Sequence, residues 1–268
     1  MKRVAVPAAI EFRNVSYALS NGRTILHGIS LAVQEGSVMA LLGRSGSGKT
    51  TLLRTVNRMI VPTGGQVLVG GNDAQAADVI ALRRGIGYVI QEAGLFPHCT
   101  VERNVGMVLE AQGRLRAERD ARCRELLAAV GLEPDAFRTR YPHQLSGGQR
   151  QRVGLARALA ADPPILLMDE PFGALDPLTR AEMQDMLRGL LAKLRKTVLL
   201  VTHDLDEALY LADTIALMHE GRLVAELGPE EFLGSEQPEV VAYVKAFHRG
   251  EKSGGDRNGG ERRAEAQP

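Results

Sequence analysis

The stretch Val38-Met39-Ala40-Leu41-Leu42-Gly43-Arg44-Ser45-Gly46-Ser47-Gly48-Lys49-Thr50-Thr51 joins two informative patterns. Val38 to Leu42 is a continuous apolar run, as expected of a parallel strand buried on both faces. Gly43 to Thr50 then fits G-x-x-x-x-G-K-[ST]. Glycines let backbone N–H groups turn inward around phosphate oxygens. A following helix would add the partial positive charge of its N-terminus. In such a loop Lys49 is predicted to reach the β- and γ-phosphates, and the Thr50 hydroxyl to bind Mg²⁺. The helix should run from near Lys49 to about Met59, stopped by Pro62 and Gly64-Gly65.

A phosphate loop needs a carboxylate on the metal side. Ile165-Leu166-Leu167-Met168-Asp169-Glu170 supplies one at the end of a second buried strand. Asp169 is predicted to hold Mg²⁺, directly or through water. Glu170 follows it, suited to polarise an attacking water.

The rest of the chain alternates in the same α/β manner. Residues 10–42 read as short strands, with Asn21-Gly22 as a turn, and residues 66–69 and 86–90 as further strands. From about Phe96 to Arg140 the pattern becomes helical, with solvated charge blocks such as RLRAERDARCRE. Gln149–Ala161, Leu178–Lys193 and Leu205–Ala212 read as helices, and Thr197–Thr202 as a strand. Asp176 and Pro177 suit the N-cap and first turn of the second of these helices. Ile215–Met218 and Arg222–Ala225 fit a hairpin around Glu220-Gly221. Residues 249–268 carry five basic and four acidic side chains and almost nothing apolar, so they are expected to be a disordered tail.

Composition narrows the function. The 268 residues are 44% hydrophobic and 24% charged, ordinary globular usage, with a net charge of +1. No basic field and few aromatics (4%) argue against a nucleic-acid partner. The start MKRVAVPAAIEFRN turns polar too soon for a signal-peptide core, and no run of 18 apolar residues suggests a membrane span. Cys99 and Cys123 lack a C-x-x-C spacing and read as reduced thiols. The histidines show no metal-ligand spacing.

Leu145-Ser146-Gly147-Gly148-Gln149, ahead of a helix, is the motif on which the chain resembles the ATP-binding cassette ATPases, over about residues 10–248. Other family elements follow the family order: Gln91 after an apolar strand, Ala174-Leu175-Asp176, and His203. The resemblance implies a P-loop NTPase cassette of the α/β class. It would have a RecA-like core with a mixed sheet, an N-terminal antiparallel β subdomain, and a helical signature subdomain at about 96–160. It implies ATP and Mg²⁺ as ligands, with nucleotide contacts from Gly43 to Thr51. Thr50, Gln91 and Asp169 would serve the metal, and Glu170, His203 and Gln91 the chemistry. Ser146, Gly147, Gly148 and Gln149 would contact the γ-phosphate held by a second cassette, which implies a dimer with a second copy of this chain, the homodimer being favoured, or with a homologous partner. Members usually stack an aromatic residue on adenine ahead of the phosphate loop. Aligned on Val15-Ser16, that position falls on Leu19, so either Tyr17 substitutes or adenine rests on an aliphatic surface.

The segment from Gly85 to Val105 resembles the stretch of bacterial importers on which a cytoplasmic helix of the membrane permease docks. Leu95, Phe96 and Val101 would line that groove, with Glu102 and Arg103 at its rim. Tyr88-Val89-Ile90-Gln91 with Gly94-Leu95-Phe96-Pro97-His98 is most similar to ATPases that serve quaternary-amine osmoprotectants such as glycine betaine, choline and carnitine. The partners implied are permease subunits near Leu95–Val105 and an extracytoplasmic solute-binding protein, with this chain peripheral at the cytoplasmic face of the membrane. Polar amino-acid importers share much of the segment. A soluble ATPase of DNA repair would need a long heptad insertion, and residues 96–140 are too short and are broken by Pro97, Gly113, Gly131 and Pro134.

Overall fold

A computed structural model describes residues 7–255 of the chain. Strands β1 (Ala8–Ala18) and β2 (Thr24–Gln34) form an antiparallel pair around the Asn21-Gly22 turn. They are followed by β3 (Val38–Leu42), α1 (Lys49–Val56), β4 (Gly64–Val69), β5 (Asn72–Asp73), α2 (Val79–Arg84) and β6 (Ile86–Val89). A helical stretch then comprises α3 (Val101–Ala111), α4 (Arg116–Ala129), α5 (Pro134–Phe137) and α6 (Gly147–Leu159). The chain continues through β7 (Ile165–Asp169), α7 (Pro177–Leu194), β8 (Thr197–Thr202) and α8 (Leu205–Leu211). It closes with β9 (Thr214–His219), β10 (Arg222–Leu227), α9 (Pro229–Leu233) and α10 (Pro238–Gly255).

Among the described residues the strands form two sheets. One is antiparallel, in the order β2-β1-β4-β5. The other is mixed, in the order β10-β9-β3-β8-β7-β6, with parallel pairing from β9 to β6 and an antiparallel edge at β10. Successive side chains of a strand point to opposite faces, and that alternation builds two cores. Val38, Ala40 and Leu42 of β3, with Leu166 and Met168 of β7, face a cluster completed by α3, α4, α6, α7 and α8. Met39, Leu41, Ile165 and Leu167 face the opposite way, onto Leu52, Leu53 and Val56 of α1 and the inner side of the antiparallel sheet.

Several boundaries differ from the sequence expectation. Helix α1 ends at Val56 rather than near Met59, because Arg58 takes a left-handed φ of 53°. The short helix α2 is unforeseen; it buries no residue, and its one local signal is Asp78, whose carboxylate caps Ala81 N at 2.7 Å. Helix α6 starts at Gly147, ahead of Gln149, since the Ser146 hydroxyl caps it. Residues 249–255, expected in a disordered tail, continue helix α10. That helix is anchored upstream by buried Val240 and by Tyr243, Val244 and Phe247 packed on the core, and an established helix extends at little further cost. Residues 256–268 of the expected tail lie outside the described residues.

One close contact ties the mixed sheet to α6. A Cβ built on Gly87 of β6 would lie 2.5 Å from Ala158 O. Gly87→Ala is therefore expected to cost about 1–3 kcal/mol, the usual penalty of overpacking a core. Urea denaturation checks this; an unchanged midpoint would show that α6 yields without cost.

Candidate functional site

The phosphate loop leaves the buried end of β3 and returns as α1. Gly48, at the N-cap of α1, has φ 96° and no side chain to occupy the helix terminus. A Cβ there would also strike Leu26 Cδ2 at 2.9 Å. The loop is held from outside by the β9–β10 hairpin: Gly221 N donates to Ser47 O at 3.2 Å, and His27 N of β2 to Gly221 O at 2.9 Å. Ser45, Gly46, Gly48, Lys49, Thr50 and Thr51 line a cavity of about 280 Å³, closed by Arg23, Ile25 and Glu170. Lys49 is buried, and its Nζ donates to Gly43 O at 2.7 Å and Arg44 O at 3.0 Å. Burial lowers its pKa, countered by the charges of Glu170 and Asp169. Ser47 Oγ is buried with no hydrogen-bond partner among the described residues. A buried ammonium and an unsatisfied hydroxyl in one loop fit an anion, since such groups are costly without partners.

Asp169 ends β7 opposite Thr50. Thr50 Oγ1 donates to Asp169 Oδ1 at 2.7 Å. The other oxygen, Oδ2, accepts from Tyr88 Oη at 3.2 Å and Arg54 Nη2 at 3.3 Å. Sequence reasoning missed both of these donors. Arg54 could have been found from its place four residues after Thr50, one helical turn away on the same face. Tyr88 lies on β6 beside β7, a neighbour relation that only the sheet order reveals. Thr50 and Asp169 offer hard oxygen donors, the set that Mg²⁺ prefers.

Glu170 sits at φ 46°, uncommon for a non-glycine residue. Its N–H donates to Val201 O at 3.0 Å, so the turn is pinned to β8. His203 Nδ1 lies 3.2 Å from Glu170 Oε2. Tyr243 of α10, also missed from sequence, donates its hydroxyl to His203 O at 2.9 Å, and burial pushes its phenol pKa up to about 12. Arg180 of α7 approaches Asp204 at 3.3 Å and donates to Leu175 O at 3.3 Å, linking the turns on either side of Glu170.

Lys49, Thr50, Asp169, Glu170 and His203 thus converge beyond the C-terminal ends of the interior strands β3, β7 and β8 of the mixed sheet. Other expected site residues do not join them. Gln91 lines a neighbouring cavity of about 340 Å³ with Gly147, Gln151, Pro171 and Leu175. Its Nε2 lies 3.5 Å from a Cβ built on Gly173, in the turn that follows Glu170. Ser146 and Gln149 occupy each other in a capping box: Ser146 Oγ accepts from Gln149 N at 3.2 Å, and Gln149 Oε1 from Ser146 N at 3.0 Å. Gly148 packs against Thr179, where a Cβ would approach Cγ2 to 2.4 Å, while Ser146 and Gly147 face outward. Tyr17 is half-buried against the core of the antiparallel sheet, opposite Leu26 of β2, and Leu19 is 38% exposed beyond the end of β1.

The expected surface groove is corrected in part. Val101 is fully buried at the start of α3, stacked with Val105 and Leu109 against the helical core. That leaves Phe96, 41% exposed, and half-buried Leu95 at the surface. The loop that carries them is organised by buried Asn104, which sequence reasoning missed. Its amide accepts from Phe96 N at 2.7 Å and donates to Cys99 O at 3.1 Å. Glu102 is engaged by Arg138 at 2.9 Å.

Comparison with known proteins bears on the family and the fold. The family described as "ABC transporter" matches residues 26–173, more than half of the chain. The chain is 48% identical over 213 residues to the osmoprotectant import ATP-binding protein OsmV of Salmonella typhimurium, covering 80% of this chain and 56% of that protein. It is 49% identical over 220 residues to the glycine betaine uptake system ATP-binding protein YehX of Escherichia coli, covering 82% of this chain and 71% of that protein. The chain spans little more than half the length of the first of these relatives. An ATP-binding cassette solved as a dimer in a post-hydrolysis state with ADP and Pi superimposes with a TM-score of 0.74 at 33% identity, over 82% of this chain and 98% of that one.

Proposed function

The chain belongs to the ABC transporter family, and we infer that it is the ATP-hydrolysing subunit of a membrane importer for quaternary-amine osmoprotectants. The observation that carries the ATPase part of this reading is a cavity lined by Lys49, Thr50 and Glu170, with Asp169 bonded to Thr50 and His203 beside Glu170. Lys49 and the N-terminus of α1 bind the phosphates. Thr50 and Asp169 would hold Mg²⁺, which when bound neutralises charge on the β- and γ-phosphates. Glu170 takes the proton of the attacking water, while His203 keeps its carboxylate oriented. Gln91, from the adjacent cavity, reaches the turn after Glu170.

The outward-facing Ser146 and Gly147 suit the γ-phosphate of a second cassette. The solved cassette with ADP and Pi is itself dimeric. Permease subunits would dock beside Leu95 and Phe96, and an extracytoplasmic binding protein would deliver the solute. The chain would then sit at the cytoplasmic face of the membrane; no described helix is long and apolar enough to cross it. The relatives named for osmoprotectant and glycine betaine uptake favour that solute class over amino acids. The test is ATP hydrolysis by the chain reconstituted with its permease and binding protein. Stimulation by glycine betaine, choline or carnitine is expected, and stimulation by amino acids alone would overturn the substrate reading.

Ser146→Arg tests the composite site. Each chain should still bind Mg-ATP, because the phosphate loop lies elsewhere. Hydrolysis should fall about 10²-fold, the size typical of losing a donor to a developing oxyanion. Gel filtration in Mg-ATP should show no dimer, and circular dichroism should show that the chain stays folded despite the lost cap. A variant that dimerises and hydrolyses normally would remove Ser146 from the interface.

A further inference from the structure

Helix α6 presents one face to the turn that carries Gln91. Gln151, Gly154 and Arg157 recur at intervals of three on that face. Gln151 Nε2 donates to Ile90 O at 3.2 Å. A Cβ built on Gly154 would lie 3.1 Å from Ala93 Cβ and 3.3 Å from Ala93 O. Arg157 spans the far side: Nη2 donates to Ala93 O and Nη1 to Gly94 O, each at 2.7 Å. The turn itself is unusual, with two consecutive left-handed residues, Ala93 at φ 57° and Gly94 at φ 51°.

The guanidinium is a costly way to hold two carbonyls. Burial lowers its pKa, and among the described residues no carboxylate charge counters that shift. Arg157 is half-buried, and a partly desolvated cation without a counter-ion is normally avoided. Its gain here is geometric. The rigid planar fork grips two successive carbonyls with short charge-assisted bonds, which fixes a backbone conformation rather than a charge pair. Between the points held by Gln151 and Arg157 lies Gln91. The same helix begins at the capped Ser146.

We propose that Arg157 is a positioning residue for ATP hydrolysis: it fastens the Gln91 turn to helix α6, so that Gln91 and the Ser146 end of that helix move as one body. This rests on the reading of Gln91 and Ser146 as parts of the ATP site. Arg157 itself touches no reacting atom. It acts by keeping Gln91 in register with the helix that meets the opposing cassette.

The test uses the full chain with Arg157→Met, Arg157→Lys and Gly154→Ala. Hydrogen exchange at the amides of 91–94 and steady-state hydrolysis are measured beside Mg-ADP affinity and melting temperature. Arg157→Met is expected to lower kcat about tenfold or more, with affinity for Mg-ADP within about twofold. Exchange at 91–94 should rise about tenfold while the middle of α6 stays protected. Arg157→Lys should fall between, because a flexible ammonium lacks the rigid planar fork that holds both carbonyls in one orientation. Gly154→Ala keeps the cation but pushes Ala93, and should reduce kcat with no loss of melting temperature. It decides the matter if Arg157→Met does not fold. Unchanged exchange at 91–94 and unchanged kcat in these variants would overturn the proposal. So would losses that merely track melting temperature across the series. A wild-type chain that binds Mg-ADP but hydrolyses no ATP, alone or in its complex, would instead sink the functional reading. The exchange comparison would still report whether Arg157 fastens the turn.

Discussion

Replacing Glu170 with Gln is expected to slow ATP hydrolysis by about 10²–10⁴-fold while leaving nucleotide binding intact. That range corresponds to roughly 3–5 kcal/mol at the barrier. The amide keeps the size of the carboxylate and can still meet His203, whose Nδ1 lies 3.2 Å from the native Oε2. It cannot accept a proton from water at neutral pH. The turn should keep its shape, because it is pinned through backbone, Glu170 N to Val201 O at 3.0 Å. Lys49, Thr50 and Asp169 are untouched and still hold phosphate and metal. Loss of one negative charge beside the γ-phosphate favours the bound state, so a closed dimer should accumulate. Steady-state hydrolysis and gel filtration in Mg-ATP read the two effects separately. A near wild-type rate would mean that Glu170 is not the base. A slow enzyme that never dimerises would count against a composite site in the chain without its membrane partners.

Lys49→Ala should have the opposite signature, with binding lost first. Hydrogen bonds to charged groups contribute roughly 1.5–3 kcal/mol each, so removing the ammonium should weaken Mg-ATP binding about 100-fold. The ammonium already rests on Gly43 O at 2.7 Å and Arg44 O at 3.0 Å, which aims it at the cavity before any nucleotide arrives. The substitution also strips those two carbonyls of a donor, so the empty chain should melt somewhat earlier. Calorimetry with Mg-ATP measures the affinity, and thermal melting the second effect. Unchanged affinity would remove Lys49 from the site.

Much of the candidate site was legible without coordinates because it depends on local backbone geometry. A buried strand, a glycine loop and a helix start are contiguous in Val38–Thr51, and their chemistry follows from their order. Asp169 and Glu170 were legible for the same reason, as an acidic pair closing the apolar run of β7. The capping role of Ser146 could be read from its spacing to Gln149. Helix ends were less legible. The stop of α1 depends on a left-handed Arg58, and the reach of α10 on contacts made by Tyr243, Val244 and Phe247 far from its C-terminus.

What the sequence alone offered was the candidates for the phosphate, metal and base groups, since each rests on neighbours along the chain. Tertiary structure decided which distant groups support them. Tyr88 reaches Asp169 because β6 pairs with β7, and Tyr243 reaches His203 because α10 folds back over β9. Val101 is interior rather than a docking surface, because sheet and helix packing assign each apolar side chain to one side. Nothing in the sequence singles out Arg157 within the helix expected at Gln149–Ala161. Only the crossing of α6 over the 90–94 turn brings its guanidinium onto two backbone carbonyls. Local patterns fix what a residue can do, but burial and partner depend on elements distant in the chain, whose relative placement is set by packing of the whole core.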